Sequence, residues 1–199
     1  MLIWLCALKC EAKPLVDHYR LRRDTDNGPF RLYRGEQTAC VVSGVGQRAM
    51  RTATEWSAWL AQPGAPVVRI NLGIAGHAEL DIGTLRLAES FGRADSTTAL
   101  ANALPVTTAI DSLPLISYDQ PQELYPEHAM IDMEAYGFAV SAQLLADPKW
   151  RQSLKVISDN AGKPATRDKN AVSNLLAAQM DNIDRFARDM LTEAESRHA

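Results

Sequence analysis

Two acidic residues stand where an apolar run stops and a helical pattern begins. The stretch Ala129 to Ala142 reads Ala-Met-Ile-Asp-Met-Glu-Ala-Tyr-Gly-Phe-Ala-Val-Ser-Ala. Apolar residues lead into Asp132, Met133 and Glu134, and small and apolar residues then recur at helical spacing, so a buried strand is expected to end at a helix start. Ligands of open α/β sheets sit just outside the carboxyl ends of strands, which makes Glu134 a candidate ligand-contacting carboxylate. Leu154 to Ser158 is a second strand-like run, and it ends in Asp159. Asp159 reads equally as a catalytic acid or as a helix N-cap. The helical interval between the two runs fits a βαβ crossover, whose strands are parallel and in one sheet, so both acids could line one crevice. A third acid, Glu11, follows the apolar run Leu2 to Leu8. It reads either as a site carboxylate or as a charge complementing the first turn of a helix.

Two glycine turns accompany these acids. Ser43-Gly44-Val45-Gly46 stands after a strand-like segment and before a helix-like one, where exposed N–H groups at the positive helix end could bind an anion. Ser43, Gly44, Gly46 and Arg48 are the candidate anion-binding residues. The same glycines equally suit a tight turn and close helix packing. Gly44 to Ala49 also matches a loose dinucleotide pattern, but the next strand offers Asn71 rather than an acid near its end. Gly73-Ile74-Ala75-Gly76 is a second turn of small residues at a strand's carboxyl end, where ligand atoms can approach the backbone closely.

The elements that position these residues follow from periodicity. Leu2 to Leu8 is expected to be a central strand, with a short helix opening at Pro14 and running to about Tyr19. Phe30 to Arg34 and Thr38 to Ser43 suggest an antiparallel hairpin, and Gln47 to about Ala61 a helix with Ala49, Ala53, Trp56 and Leu60 on one face. Val67 to Leu72, Thr84 to Phe91 and Val106 to Ile110 read as strands. Ser112 to His128, with Pro114, Pro121 and Pro126, reads as a loop wall. From Asn170 onward a continuous apolar stripe predicts one long terminal helix. The order of elements is that of an α/β three-layer sandwich with a mixed, mostly parallel central sheet, expected as one domain over 1–199.

Composition narrows the function classes. With 199 residues, 46% hydrophobic and 23% charged, the chain can fill one sizeable core, and a net charge of −3 argues against nucleic acid or an anionic membrane as main partner. A small molecule is the expected ligand. Cys6, Cys10 and Cys40 are an odd number without zinc-type pairing, and the four histidines lack ligand spacing, so no metal is expected. Leu2 to Leu8 is too short for a membrane span and lacks a basic flank before it, which leads to a cytoplasmic expectation.

Several segments, in order, resemble the nucleoside phosphorylase/nucleosidase superfamily, especially the methylthioadenosine/S-adenosylhomocysteine nucleosidases and futalosine hydrolase. They are Ala7 to Glu11, Ser43 to Gly46, Asn71 to Gly76, Asp132 to Ala135 and Ile157 to Ala161. The resemblance implies hydrolysis of the N-glycosidic bond of a purine nucleoside without metal or organic cofactor. It also implies that Asp159 protonates the base, Glu11 activates water, Glu134 holds ribose hydroxyls and Met133 packs on the sugar. Ser158, Gly73, Ile74, Ala75 and Gly76 would complete the substrate site. Ile74 stands where many relatives carry Ser or Thr, a position at which futalosine hydrolase-like sequences resemble this chain instead, and the region 91–128 is short for the family. Relatives associate as dimers or hexamers, so a homo-oligomer, a dimer first, is expected. A phosphate-dependent phosphorylase is the neighbouring alternative, and a noncatalytic nucleoside-binding protein the alternative of another class.

Overall fold

The computed structural model of the chain describes residues 1–25, 28–145, 150–164 and 168–198. Strand β1 (Leu2–Cys6) is followed by α1 (Lys9–His18), β2 (Arg22–Asp24), β3 (Arg31–Arg34) and β4 (Thr38–Val42). Helix α2 (Gln47–Trp56) runs into a 3-10 turn (Ser57–Leu60), and β5 (Val68–Gly76), β6 (Leu85–Arg93), β7 (Leu100–Ala101) and β8 (Ser112–Ser117) come next. Strand β9 (Met130–Asp132), α3 (Ala135–Leu145), β10 (Arg151–Asp159), α4 (Lys169–Ala178) and α5 (Met180–Ser196) complete the order.

One sheet holds all these strands, in the order β10-β6-β8-β9-β5-β1-β4-β3-β2, with β7 on β6. Because β10 also pairs with β5, the strands β5, β10, β6, β8 and β9 close a ring, and β1, β4, β3 and β2 extend from its β5 side. The neighbours β4, β1, β5 and β10 are parallel, while the β2–β3–β4 edge and the β6–β10 contact are antiparallel. Alternation along β1 divides the core. Leu2, Trp4 and Cys6 pack with Ala12 and Leu15 of α1 and with Leu176, Ile183 and Met190 of α4 and α5, whereas Ile3 and Leu5 pack with Met50 and Ala53 of α2 and Phe138 of α3. The sheet therefore lies between two helical layers, as the α/β three-layer reading expects.

Four expectations change. Strands β9 and β10 are not parallel partners of a βαβ unit: β10 runs parallel to β5, but β9 runs antiparallel to it and parallel to β8, because β6 and β8 come between them in closing the ring. The strand of this region is β8, inside the expected loop wall, and Val106 to Ile110 is irregular. Pro114 is tolerated there because β6 bulges between Ala88 and Ser90, opposite Leu113 and Pro114, so a ladder donor is not needed at that point. Helix α1 starts at Lys9, one turn before the predicted start, leaving Pro14 inside it. The terminal helix is two, broken at Gln179, whose N–H turns back to Leu176 and whose side-chain amide donates to the Gly83 carbonyl at 2.9 Å.

Candidate active site

The carboxyl end of β5 is where the acids meet. Gly76, its last residue, pairs with Asp159 of β10 on one side and with Ile131 of β9 on the other. Asp159 and the Asp132–Glu134 segment are thus delivered to the same point by different strands. They line a cleft of about 260 Å³ together with Leu8, Glu11, Val45, Ile74, Ala75, Gly76, Tyr118, Met133 and Ser158.

Glu11 lies in the first turn of α1 and is almost fully buried. One oxygen accepts the Leu8 N–H at 2.8 Å, which closes the helix start and explains why α1 begins early; the other accepts the Ile74 N–H at 3.1 Å. Glu11 therefore complements the helix terminus and also lines the cleft. Burial pushes its carboxyl up, opposed by Lys155 and by the backbone donors. Gly73 supplies the space for this arrangement: a Cβ there would lie 2.7 Å from Glu11 Oε1 and 3.4 Å from Lys155 Nζ. Gly73 itself does not line the cleft and acts by packing.

Lys155 is the residue that the sequence reading passed over. Its side chain is sealed in the middle of β10, with Nζ 2.8 Å from Asp132 Oδ2. Burial alone would discharge it, but Asp132, Glu134 and Glu11 outweigh burial and raise its pKa. A lone lysine inside Leu154–Ile157 was the available signal, because a charge in a strand buried on both faces needs a partner. Asp132 is held further by the Ser117 hydroxyl at 2.5 Å and the Ala135 N–H at 2.9 Å, so it anchors the start of α3 at the cleft wall. Glu134 Oε1 accepts the Gly46 N–H at 2.8 Å. Burial first, then the Asp132 charge, push its carboxyl up to about 7, against the pull of Lys155 and the Gly46 donor.

Asp159 caps no helix, since α4 begins only at Lys169 with Asp168 as its N-cap. Instead it sits at the cleft wall, 8% exposed, with the Ser158 hydroxyl donating to Oδ1 and the Tyr125 hydroxyl donating to Oδ2 at 2.7 Å. His77 N–H donates to its backbone carbonyl at 3.1 Å, and the His77 ring accepts from Glu79 and Leu80, so the strand end is fixed from the β5 side. Gly76 is required here by close approach. A Cβ would lie 2.4 Å from the Tyr125 ring and 2.6 Å from Asp159 Oδ2.

The glycine turn at Ser43 to Gly46 departs from the expected anion site. Gly46 donates to Glu134, Gly44 to the Ala7 carbonyl, and the Ser43 hydroxyl to the carbonyls of Cys6 and Gly44. The anion at this helix terminus is thus the chain's own Glu134. Gly44 and Gly46 have φ of +89° and +100°, so the turn itself calls for glycine. Arg48 is exposed and faces away, in a separate cleft of about 680 Å³ with Arg51, Arg93, Asp119 and Tyr136. That cleft is larger, but none of its lining residues is a buried carboxylate. Asn71, the dinucleotide question, is structural: its amide donates to the Leu5 carbonyl at 3.1 Å and accepts from Ser153 at 2.9 Å.

Sequence comparison finds no matching family model and no matching curated protein. The three-dimensional comparison does find proteins of similar fold. The structure of the Arabidopsis thaliana 5′-methylthioadenosine nucleosidase in its apo form matches with a TM-score of 0.79 at 19% identity, over 96% of this chain and 98% of that one. This chain has the nucleosidase fold. The nucleosidase for 5′-methylthioadenosine and S-adenosylhomocysteine from Colwellia psychrerythraea, solved with adenine, matches with a TM-score of 0.73 at 14% identity, over 97% of this chain and 95% of that one. Futalosine hydrolase of Helicobacter pylori matches with a TM-score of 0.70 at 16% identity, over 96% and 97%. Of the residues expected from the sequence, the cleft brings together Glu11, Met133, Glu134, Ser158, Asp159 and the 74–76 turn and leaves out Gly73, Ser43, Gly44, Gly46 and Arg48, while Lys155 and Tyr125, which bond to its acids, were not among them.

Proposed function

We propose that the chain hydrolyses the N-glycosidic bond of a purine nucleoside and releases the free base. The observation that carries this reading is the placement of Glu11 and Asp159 on one cleft from positions two residues apart on β5, Ile74 and Gly76. Two strand residues span roughly 7 Å, a separation that lets one carboxyl serve the leaving base while the other serves a water at the sugar. Asp159 gives its proton to the base nitrogen N7 as the C1′–N bond breaks. Tyr125 and Ser158 then stabilise the carboxylate left behind. Glu11 takes a proton from the water that bonds to C1′; its burial brings its proton affinity closer to neutral pH, where a base works best. Glu134 accepts ribose hydroxyls through charge-assisted hydrogen bonds, and Met133 packs on the sugar.

Water is favoured over phosphate as nucleophile because the donors of the Ser43 to Gly46 turn are engaged within the chain and Arg48 faces another cleft. A cytoplasmic homodimer belongs to the same proposal. It is supported by free thiols at Cys6, Cys10 and Cys40, and by the apolar residues Leu8, Val45 and Trp59 at the surface, Trp59 being 86% exposed. No described helix is long and apolar enough to cross a membrane. The test is chromatographic release of base from adenosine, methylthioadenosine, S-adenosylhomocysteine, inosine and futalosine, with and without phosphate. Phosphate-independent release from at least one is expected. Release only with phosphate would make the chain a phosphorylase, and binding without release a nucleoside-binding protein.

A further inference from the structure

The opposite end of β5 carries a second cavity, about 450 Å³, between the 3-10 turn, the Ala65–Val67 segment, Trp150 and the end of α5. It lies seven residues from Gly76, roughly 23 Å along the strand, and is separate from the acidic cleft. Arg69 lines it and is 96% buried, being only 4% exposed. Its Nε donates to the Ser57 hydroxyl at 3.1 Å, and Ser57 in turn donates to the Thr54 carbonyl at 2.6 Å, so the guanidinium is fixed in direction. No other hydrogen bond or ion pair engages it among the described residues. Its terminal nitrogens are also absent from the sealed, unpartnered polar atoms, which are Trp4 Nε1, Asn102 Oδ1 and Arg151 Nε. They therefore open on the cavity. Burial pushes its pKa down to about 10, and no carboxylate among the described residues is paired with it.

A second cation makes the imbalance greater. Arg151 is the register partner of Arg69 across the parallel β5–β10 ladder, and paired residues there share a face. Arg151 is equally buried, donates to the carbonyls of Ala139 and Ala101, and rests over the Phe91 ring at 5.7 Å. It too has no carboxylate partner among the described residues. At the rim, Arg197 is paired with Glu193, and His198 contacts the Gly64 carbonyl. Two neighbouring buried guanidiniums with no anion among the described residues are unfavourable, and the fork of one of them faces an accessible space whose other walls are largely apolar.

We propose that this cavity binds a small organic anion, its carboxylate received by the terminal nitrogens of Arg69 and its apolar body lying against Val67, Trp150 and Ala194. A planar guanidinium matches a carboxylate bidentately, and the walls suit an aromatic or branched aliphatic body. The site does not depend on the nucleosidase reading, and its test does not use catalysis. Benzoate and its uncharged analogue benzamide are titrated by calorimetry and by thermal unfolding against the wild-type chain, Arg69→Met and Ala65→Trp. Ala65 is half-buried on the cavity wall, so a tryptophan there occludes the space with Arg69 intact. Benzoate is expected to bind the wild type and raise its Tm, benzamide to do neither, and both variants to lose roughly tenfold or more of the benzoate affinity. Absence of benzoate binding, equal binding of benzamide, or undiminished binding to Ala65→Trp would overturn the proposal. The last result decides the matter even where Arg69→Met does not fold.

Discussion

The two ends of β5 and β10 are electrostatic opposites. At the carboxyl ends Asp132, Glu134 and Glu11 surround one ammonium, that of Lys155, and Asp159 lines the same cleft; at the amino ends Arg69 and Arg151 lie side by side with no carboxylate partner among the described residues. Their supports differ as well. Glu11, Asp132 and Glu134 are held by backbone N–H groups of turns and helix starts, from Leu8, Ile74, Ala135 and Gly46, and Asp159 by the Ser158 and Tyr125 hydroxyls. The arginines rest on carbonyls and one hydroxyl. Buried charge is therefore paired and hydrogen-bonded at one end and left with unused donor capacity at the other.

The largest effect that sharpens this contrast is expected from Asp159→Asn. Losing the proton donor lowers the rate of base release by about 10²- to 10⁴-fold, while Arg151→Met leaves it unchanged, as steady-state kinetics will show. Next is the cost of removing a cation. Lys155→Met strands Asp132 as a buried anion and is expected to lose about 3–5 kcal/mol in urea unfolding, whereas Arg69→Met strands no carboxylate and costs far less. Equal costs at the two ends would break the comparison.

Glu134 gives a pH signature. Its folded value of about 7 exceeds the ordinary 4.5, so the native state binds more protons than the unfolded state between them. Stability from this group is full below pH 4.5 and falls as pH rises toward 7, by on the order of 3 kcal/mol at most. Glu134→Gln removes that slope in unfolding curves collected across the window. The smallest effect is that of Tyr125→Phe, which removes one donor to Asp159 and is expected to slow base release a few-fold, about 0.5–1.5 kcal/mol, without changing KM.

The same contrast explains what could be read from the sequence. Glu11, Glu134 and Asp159 stand at element boundaries, where a polar residue after an apolar run signals a strand end, and the layers and most strands follow from periodicity. Lys155 and Arg69 lie within strand runs, where a charge departs from the apolar pattern without naming its partner, and Arg151 precedes the apolar part of its strand; Asp132 is in another strand and Ser57 in another turn. Strand β8 was hidden for a related reason. Pro114 argues against a strand until the bulge in the neighbouring strand is known, and that bulge is a tertiary feature. The anion at the Ser43 to Gly46 turn was illegible because the ligand is Glu134, remote in sequence.

The division of labour between Asp159 and Glu11 is tested most directly with two ribosides, a purine nucleoside and 4-nitrophenyl riboside, whose leaving group departs without a proton. Hydrolysis of both is measured for the wild type, Asp159→Asn and Glu11→Gln. Asp159→Asn is predicted to lose purine release but keep cleavage of the nitrophenyl riboside, and Glu11→Gln to lose both. Equal loss on the two substrates in Asp159→Asn, or full retention of both in Glu11→Gln, would contradict the assignment of acid and base.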